Sequence, residues 1–128
     1  MAMGFHHIAL KCKDIEKSLA MYRALGMTEV VRWGEGDRLI VMLDVGDGGR
    51  IELFANGSDE FAENGKWQHF ALCVDDVDAA YATALAAGFE PQVLPKVVPL
   101  DSSPEKITIN VAFVKGPDGE QLEFFRQL

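Results

Sequence analysis

The chain repeats itself. Two strand-like stretches each centre on a histidine: FHHIALKCKD from Phe5 and WQHFALCVDD from Trp67. Each is followed by a second strand centred on a glutamate, GGRIELF from Gly48 and DGEQLEFF from Asp118. By subtraction His7 and His69 stand 62 residues apart, and the same offset relates Ala9 to Ala71, Leu10 to Leu72, Asp14 to Asp76 and Gly26 to Gly88. Glu52 and Glu123 match at 71, so the second copy carries about nine extra residues between its histidine and its glutamate, as loop insertion in a repeat allows. A duplicated unit constrains the fold strongly, because the order of elements in one copy must serve for the other.

That order is β-α-β-β-β. Residues 5–12 alternate as a strand, and Asp14 stands where a helix N-cap belongs. Ile15, Leu19, Tyr22 and Leu25 follow at helical spacing, and Gly26 supplies the stop. Strands are predicted at 28–33, 38–45 and 50–55, with glycine-bearing turns between them. Residues 57–66 are polar and read as a linker between a first module over 5–56 and a second over 67–128. In the second module a strand spans 68–74. Asp76 caps a helix carrying Val77, Tyr81, Ala84 and Leu85, and Gly88 ends it. A strand near 89–94 follows. Pro91, Pro95, Pro99 and Pro104 then punctuate what reads as a long arm, since a central strand does not tolerate proline. Strands at 107–115 and 120–126 complete the copy. At 128 residues the whole is expected to be one α+β domain with a core of its own.

Side chains of a strand alternate between faces. His7, Ala9 and Lys11 share one face and Ile8, Leu10 and Cys12 the other; His69, Ala71 and Cys73 oppose Phe70, Leu72 and Val74. The apolar set should meet the helix, which sends the histidines to the far side. His6 falls with the apolar face, so His7, the residue matched by His69, is the better ligand. Glu52 shares its face with Arg50 and Phe54, and Glu123 with Gln121 and Phe125. A single such glutamate is ordinary for the wet side of a sheet. Two imidazoles and two carboxylates placed by an internal repeat are a complete ligand set for a divalent metal.

Composition narrows the partners. A net charge of −8 argues against nucleic acid or an anionic membrane. The two cysteines, Cys12 and Cys73, both fall in predicted strands, where a buried thiol is usually inert packing; Cys73, on the His69 face, is also a candidate substrate contact. They point to reduced thiols and a cytoplasmic location. No run is long enough to cross a bilayer, and no signal peptide is evident.

The segments HHIAL with KDIEKSLAMYRALGM, IELFAN, QHFALCVDD and AFVKGPDGEQLEFF resemble the vicinal oxygen chelate superfamily of glyoxalases, bleomycin-resistance proteins and dioxygenases. Within it they are most similar to glyoxalase I (lactoylglutathione lyase). The resemblance implies two βαβββ modules forming a curved mixed sheet around a cleft, with helices on the convex side. It also implies a homodimer, commonly with ligands shared between chains. It assigns His7, Glu52, His69 and Glu123 to one divalent ion, nickel or zinc foremost, then cobalt or manganese. Asn56 and Lys11 match positions that glutathione-using relatives employ for the thiol cosubstrate. Lys11 stands where those relatives often carry arginine, and a lysine keeps the charge but not the two-pronged grip on a carboxylate. The helix ending MYRALGM is one residue shorter than the commonest family form, and the proline-rich arm at 91–104 is longer than in compact glyoxalases.

The expected activity is isomerisation of the hemithioacetal of an α-ketoaldehyde such as methylglyoxal to a thioester. Glu123 is then the principal base, with Glu52 as its counterpart. A methylmalonyl-CoA epimerase uses similar enolate chemistry but usually carries Gln where Glu52 stands. A binding module that sequesters a drug or metabolite is the alternative outside enzymes, with Trp33, Trp67, Phe54, Phe113 and Phe125 as a candidate aromatic cleft. An iron dioxygenase wants two histidines and one carboxylate, which Glu52 crowds. Lys96, Lys106 and Lys115 read as solvated charges, with contact to an anionic substrate tail near the cleft mouth as the alternative.

Overall fold

The computed structural model describes residues 5–58, 69–102 and 104–128. Trp67 and most of the predicted linker lie outside them. The chain divides into two compact units, Met1–Ala62 and Glu63–Leu128.

The first unit runs β1 (His7–Lys11), α1 (Ile15–Ala24), β2 (Thr28–Trp33), β3 (Ile40–Asp44) and β4 (Arg50–Phe54), with one 3-10 turn, Gly36–Arg38, before β3. The second runs β5 (Phe70–Cys73), α2 (Val77–Ala86), β6 (Glu90–Pro99), β7 (Thr108–Lys115) and β8 (Gln121–Gln127). Each therefore realises the predicted β-α-β-β-β order. Each also builds a four-stranded mixed sheet, ordered β1-β4-β3-β2 in the first unit and β5-β8-β7-β6 in the second. The first strand pairs in parallel with the last, and the remaining pairs are antiparallel. A parallel pair needs a crossover connection, and the helix with two further strands provides its length.

The helices begin and end where local chemistry directs. The Asp14 carboxylate accepts from the Lys17 amide at 3.1 Å, and the Asp76 carboxylate from the Ala79 amide at 3.0 Å. Both helices close in the same way. Gly26 and Gly88, at φ +102° and +103°, occupy left-handed backbone that a β-carbon would oppose. The next residue then donates back into the last turn, Met27 to the Tyr22 carbonyl and Phe89 to the Ala84 carbonyl. Met27 and Phe89 are both buried, so the stop also pins the chain to the core.

Register divides the faces as alternation predicts. In the first sheet Val41, Leu43, Ile51 and Leu53 are buried on one face. In the second Ala112, Val114, Leu122 and Phe124 play that part, and α2 lies against β6, β7 and β8. From α1, Ile15, Ser18, Leu19, Met21 and Tyr22 are buried.

The proline-rich segment departs from expectation. It is strand as far as Pro99, not an arm from about residue 95. The reason is position: β6 is an edge strand, so an amide missing at proline leaves no second neighbour unpaired. Its register against β7 shifts between Pro91 and Val93 and again between Val93 and Lys96, which are bulges that absorb the irregular residues. Among the described residues no helix is long and apolar enough to cross a membrane.

Candidate functional site

Parallel pairing of β1 with β4 places Ala9 opposite Glu52, and parallel pairing of β5 with β8 places Ala71 opposite Glu123. In each unit the histidine lies two residues before that alanine, so imidazole and carboxylate rise diagonally from the same face of neighbouring strands. His7 Nε2 lies 3.7 Å from Glu52 Oε1, and His69 Nε2 lies 2.8 Å from Glu123 Oε2. The side-chain exposures agree as closely as the register, at 36% and 11% for the first pair and 36% and 12% for the second. Each carboxylate is thus set into the sheet face, while its imidazole stands toward solvent. His69 immediately precedes β5 and is not part of it, unlike His7 in β1.

Each unit brings two donors together, and among the described residues no group of three or more His, Cys, Asp or Glu side chains converges. Each pair offers one imidazole nitrogen and one carboxylate oxygen. The donor chemistry fits a divalent ion of borderline hardness.

The surroundings of the two pairs differ. Met42 lies opposite Glu52 in the first unit, and Arg50 is the register partner of His7. Arg50 is half-buried, with Nη1 3.8 Å from Met42 Sδ. Phe113 lies opposite Glu123, and its ring meets that of His69 edge to face, with centroids 5.2 Å apart and planes at 87°. Phe54 and Phe125 are half-buried and Trp33 is exposed, so these aromatic residues stand outside the buried core, on the faces that carry the His–Glu pairs.

Lys11 is exposed at the last position of β1, opposite Phe54. Asn56 lies two residues past β4, in left-handed backbone at φ +67°. The Gly57 amide donates to the Cys12 carbonyl at 2.8 Å, which ties the Asn56 turn to the end of β1. Lys11 and Asn56 therefore flank the same end of the β1–β4 pair, beyond Glu52. Lys106 reaches Asp101 at 3.1 Å with both groups in solvent, which agrees with a solvated role.

Two expectations need correction. Cys73 is exposed and not buried packing, because it ends β5 on the same face as Ala71. His6 does not join the apolar face. It precedes β1, so alternation does not govern it; it is exposed, and its Nδ1 lies 2.8 Å from Nδ1 of His7. The adjacent pair of histidines was the available signal, but strand periodicity directed it the wrong way.

This architecture matches known proteins. The family model described as the Glyoxalase/Bleomycin resistance protein/Dioxygenase superfamily matches residues 4–124, and the chain belongs to that superfamily. It is 30% identical over 132 residues to the "Uncharacterized protein YwbC" of Bacillus subtilis, covering 99% of this chain and 100% of that protein. It is also 30% identical over 128 residues to a "Probable lactoylglutathione lyase" of Vibrio cholerae, covering 94% of this chain and 88% of the other. Among solved structures, a glyoxalase I mutant from Zea mays superposes with a TM-score of 0.75 at 22% identity, over 94% of this chain and 43% of that one. A glyoxalase/bleomycin resistance protein/dioxygenase from Alicyclobacillus acidocaldarius superposes with a TM-score of 0.67 at 18% identity, over 95% and 89% of the two chains. At these identities the structural likeness establishes the fold.

Proposed function

We propose that this protein is a metal-dependent lyase or isomerase of the glyoxalase I type. It would convert the hemithioacetal of an α-ketoaldehyde and a thiol to a thioester. The supporting observation is the duplication of one imidazole–carboxylate pair at equivalent register positions with equivalent exposure. His7, Glu52, His69 and Glu123 are the proposed ligands of one divalent ion, nickel or zinc foremost. The pairs come either from one chain or from the two chains of a homodimer. A bound ion would supply Lewis-acid stabilisation to adjacent substrate oxygens. The chain's own residues do the rest. Glu123 takes the proton from the carbon bearing the thiol sulfur and delivers it to the neighbouring carbon, with Glu52 as its counterpart. Phe113 packs against one side of the His69 ring and holds its orientation. Lys11 and Asn56 meet the thiol's polar groups at the far end of the first unit's face. The substrate is a small molecule, the expected location is cytoplasmic, and neither nucleic acid nor membrane takes part.

The test begins with metal content by mass spectrometry on wild type and His69→Ala, after dialysis against nickel, zinc, cobalt and manganese. About one ion held tightly and lost in the variant supports the centre. Thioester formation is then followed with methylglyoxal and a series of thiols. Glu123→Gln should lower turnover on the order of 10²- to 10⁴-fold and abolish exchange of the substrate carbon proton with solvent, while the fold survives. Unchanged turnover in that variant overturns the assignment. A second reading, a binding protein for an aromatic or apolar metabolite, is favoured by the outward Phe54, Phe113 and Phe125. It gains if wild type retains no ion yet binds such a ligand.

A further inference from the structure

We infer that His6 is a positioning residue for His7, holding its imidazole with the proton on Nδ1 and leaving Nε2 free on the side of Glu52. This rests on the metal centre proposed above and adds to it a residue outside the ligand set.

The two Nδ1 atoms are 2.8 Å apart, within hydrogen-bond distance. Each neutral imidazole carries one N–H and one lone pair in its ring plane. Two lone pairs at that distance repel and two N–H groups collide, so one proton lies between the nitrogens. It can belong to either ring. If His6 donates, His7 carries its own proton on Nε2, and that nitrogen cannot take a cation without losing it. If His7 donates, its Nε2 keeps a lone pair. Glu52 Oε1 is 3.7 Å from Nε2, too far to hold an Nε2 proton by a hydrogen bond. His6 is exposed, so water can meet its own N–H when it accepts at Nδ1. Water can meet the outer N–H of the donor's partner in either case, but only the second arrangement presents a nitrogen lone pair and a carboxylate together, as a shared cation requires. The near-perpendicular rings, with centroids 5.1 Å apart and planes at 82°, also oppose rotation of His7 about its ring axis. Metal-bound histidines generally have such a partner on the second nitrogen, and losing it costs about 10- to 100-fold in affinity.

The His6–His7 contact lies in the first unit. Among the described residues the ring partner of His69 is Phe113. The position that matches His6 by the repeat is Gln68, which lies outside the described residues.

The experiment has two arms. Long-range proton–nitrogen spectra of histidine-labelled apo protein, taken where the imidazoles are neutral, report which nitrogen of His7 bears the proton. Competition against a chromophoric chelator gives the affinity for nickel and for zinc. Wild type is expected to show His7 protonated on Nδ1. His6→Ala should lose that pattern and bind either metal 10- to 100-fold more weakly. His6→Gln, whose carbonyl accepts the same proton, should recover affinity to within about threefold of wild type and restore the tautomer. Thermal melts of both variants confirm that they are folded. An unchanged affinity in His6→Ala overturns the inference, as does a wild-type His7 protonated on Nε2. A His6→Gln variant as weak as His6→Ala, together with wild-type His6 nitrogens that shift on metal addition, makes His6 a ligand and overturns it too. A wild type that takes up no ion overturns the metal centre, and with it the purpose assigned to His6. The apo spectrum still shows, independently, whether His6 orients His7.

Discussion

Gly57→Ala should destabilise the protein far beyond what one methyl group suggests. A β-carbon at residue 57 would stand 2.7 Å from the Cys12 carbonyl carbon, 2.9 Å from its amide nitrogen and 3.0 Å from its oxygen. All three are backbone atoms, so no side chain can swing aside. The Cys12 backbone is itself held on both flanks, its amide donating to the Phe54 carbonyl and its carbonyl accepting from the Gly57 amide, each at 2.8 Å. Retreat from 2.7 Å to the edge of ordinary contact at 3.4 Å is a movement of about 0.7 Å, which would stretch the Gly57 bond to about 3.5 Å and break it. A lost backbone hydrogen bond costs about 1 kcal/mol and forced overpacking about 1–3 kcal/mol, so the expected total is about 2–4 kcal/mol. Urea unfolding followed by circular dichroism measures it, and with a slope of about 2 kcal/mol/M the midpoint falls by about 1–2 M. The neighbouring Asn56→Gly is the contrast. It removes a β-carbon from left-handed backbone and should be neutral or stabilising by up to about 1 kcal/mol. A Gly57→Ala protein within about 0.5 kcal/mol of wild type would refute the close approach of the Cys12 backbone and the Asn56 turn.

Three further outcomes follow from the structure. Asp14→Ala and Asp76→Ala each remove the side-chain acceptor of a helix N-terminus, and each should cost about 1 kcal/mol in the same unfolding assay, with Asn in place of Asp recovering most of it. In native protein a thiol reagent should label the exposed Cys73 quickly and the buried Cys12 only on unfolding; equal rates would contradict the faces assigned to β1 and β5. The hydrogen bond from Arg32, with its charge and that of Arg23 adding to it, holds the Glu29 carboxyl below its ordinary value of 4.5. A carboxyl lowered by folding stabilises the protein above its unfolded pKa, and that contribution is lost as pH falls through the folded value. The melting temperature of wild type should therefore exceed that of Glu29→Gln near neutral pH, with the gap closing as pH drops below 4.5 and shrinking in high salt.

Much of the site is legible from periodicity. Strand alternation puts His7 and Glu52 on the face opposite Ile51 and Leu53, and it does the same for Glu123 against Leu122 and Phe124. The 62-residue offset pairs the two capping aspartates and the two terminal glycines, and the structure uses all four as caps and stops. Those signals are legible because each depends on neighbours within about a turn of helix or a few strand residues, whatever surrounds them.

What alternation cannot supply is the neighbour across a ladder. Whether proline ends a strand depends on whether its far edge has a partner, so only the order β5-β8-β7-β6 shows that Glu90–Pro99 can be strand throughout. Register likewise decides that Phe113 faces Glu123 and so reaches His69. The meeting of His6 with His7 depends on where β1 begins, which the parallel pairing with β4 sets. The amino-acid sequence by itself determined the duplicated β-α-β-β-β units, their caps and the side of the sheet on which the histidines and glutamates stand. Only the tertiary structure decided which side chains lie beside them, because contacts between residues distant along the chain follow from pairing and register.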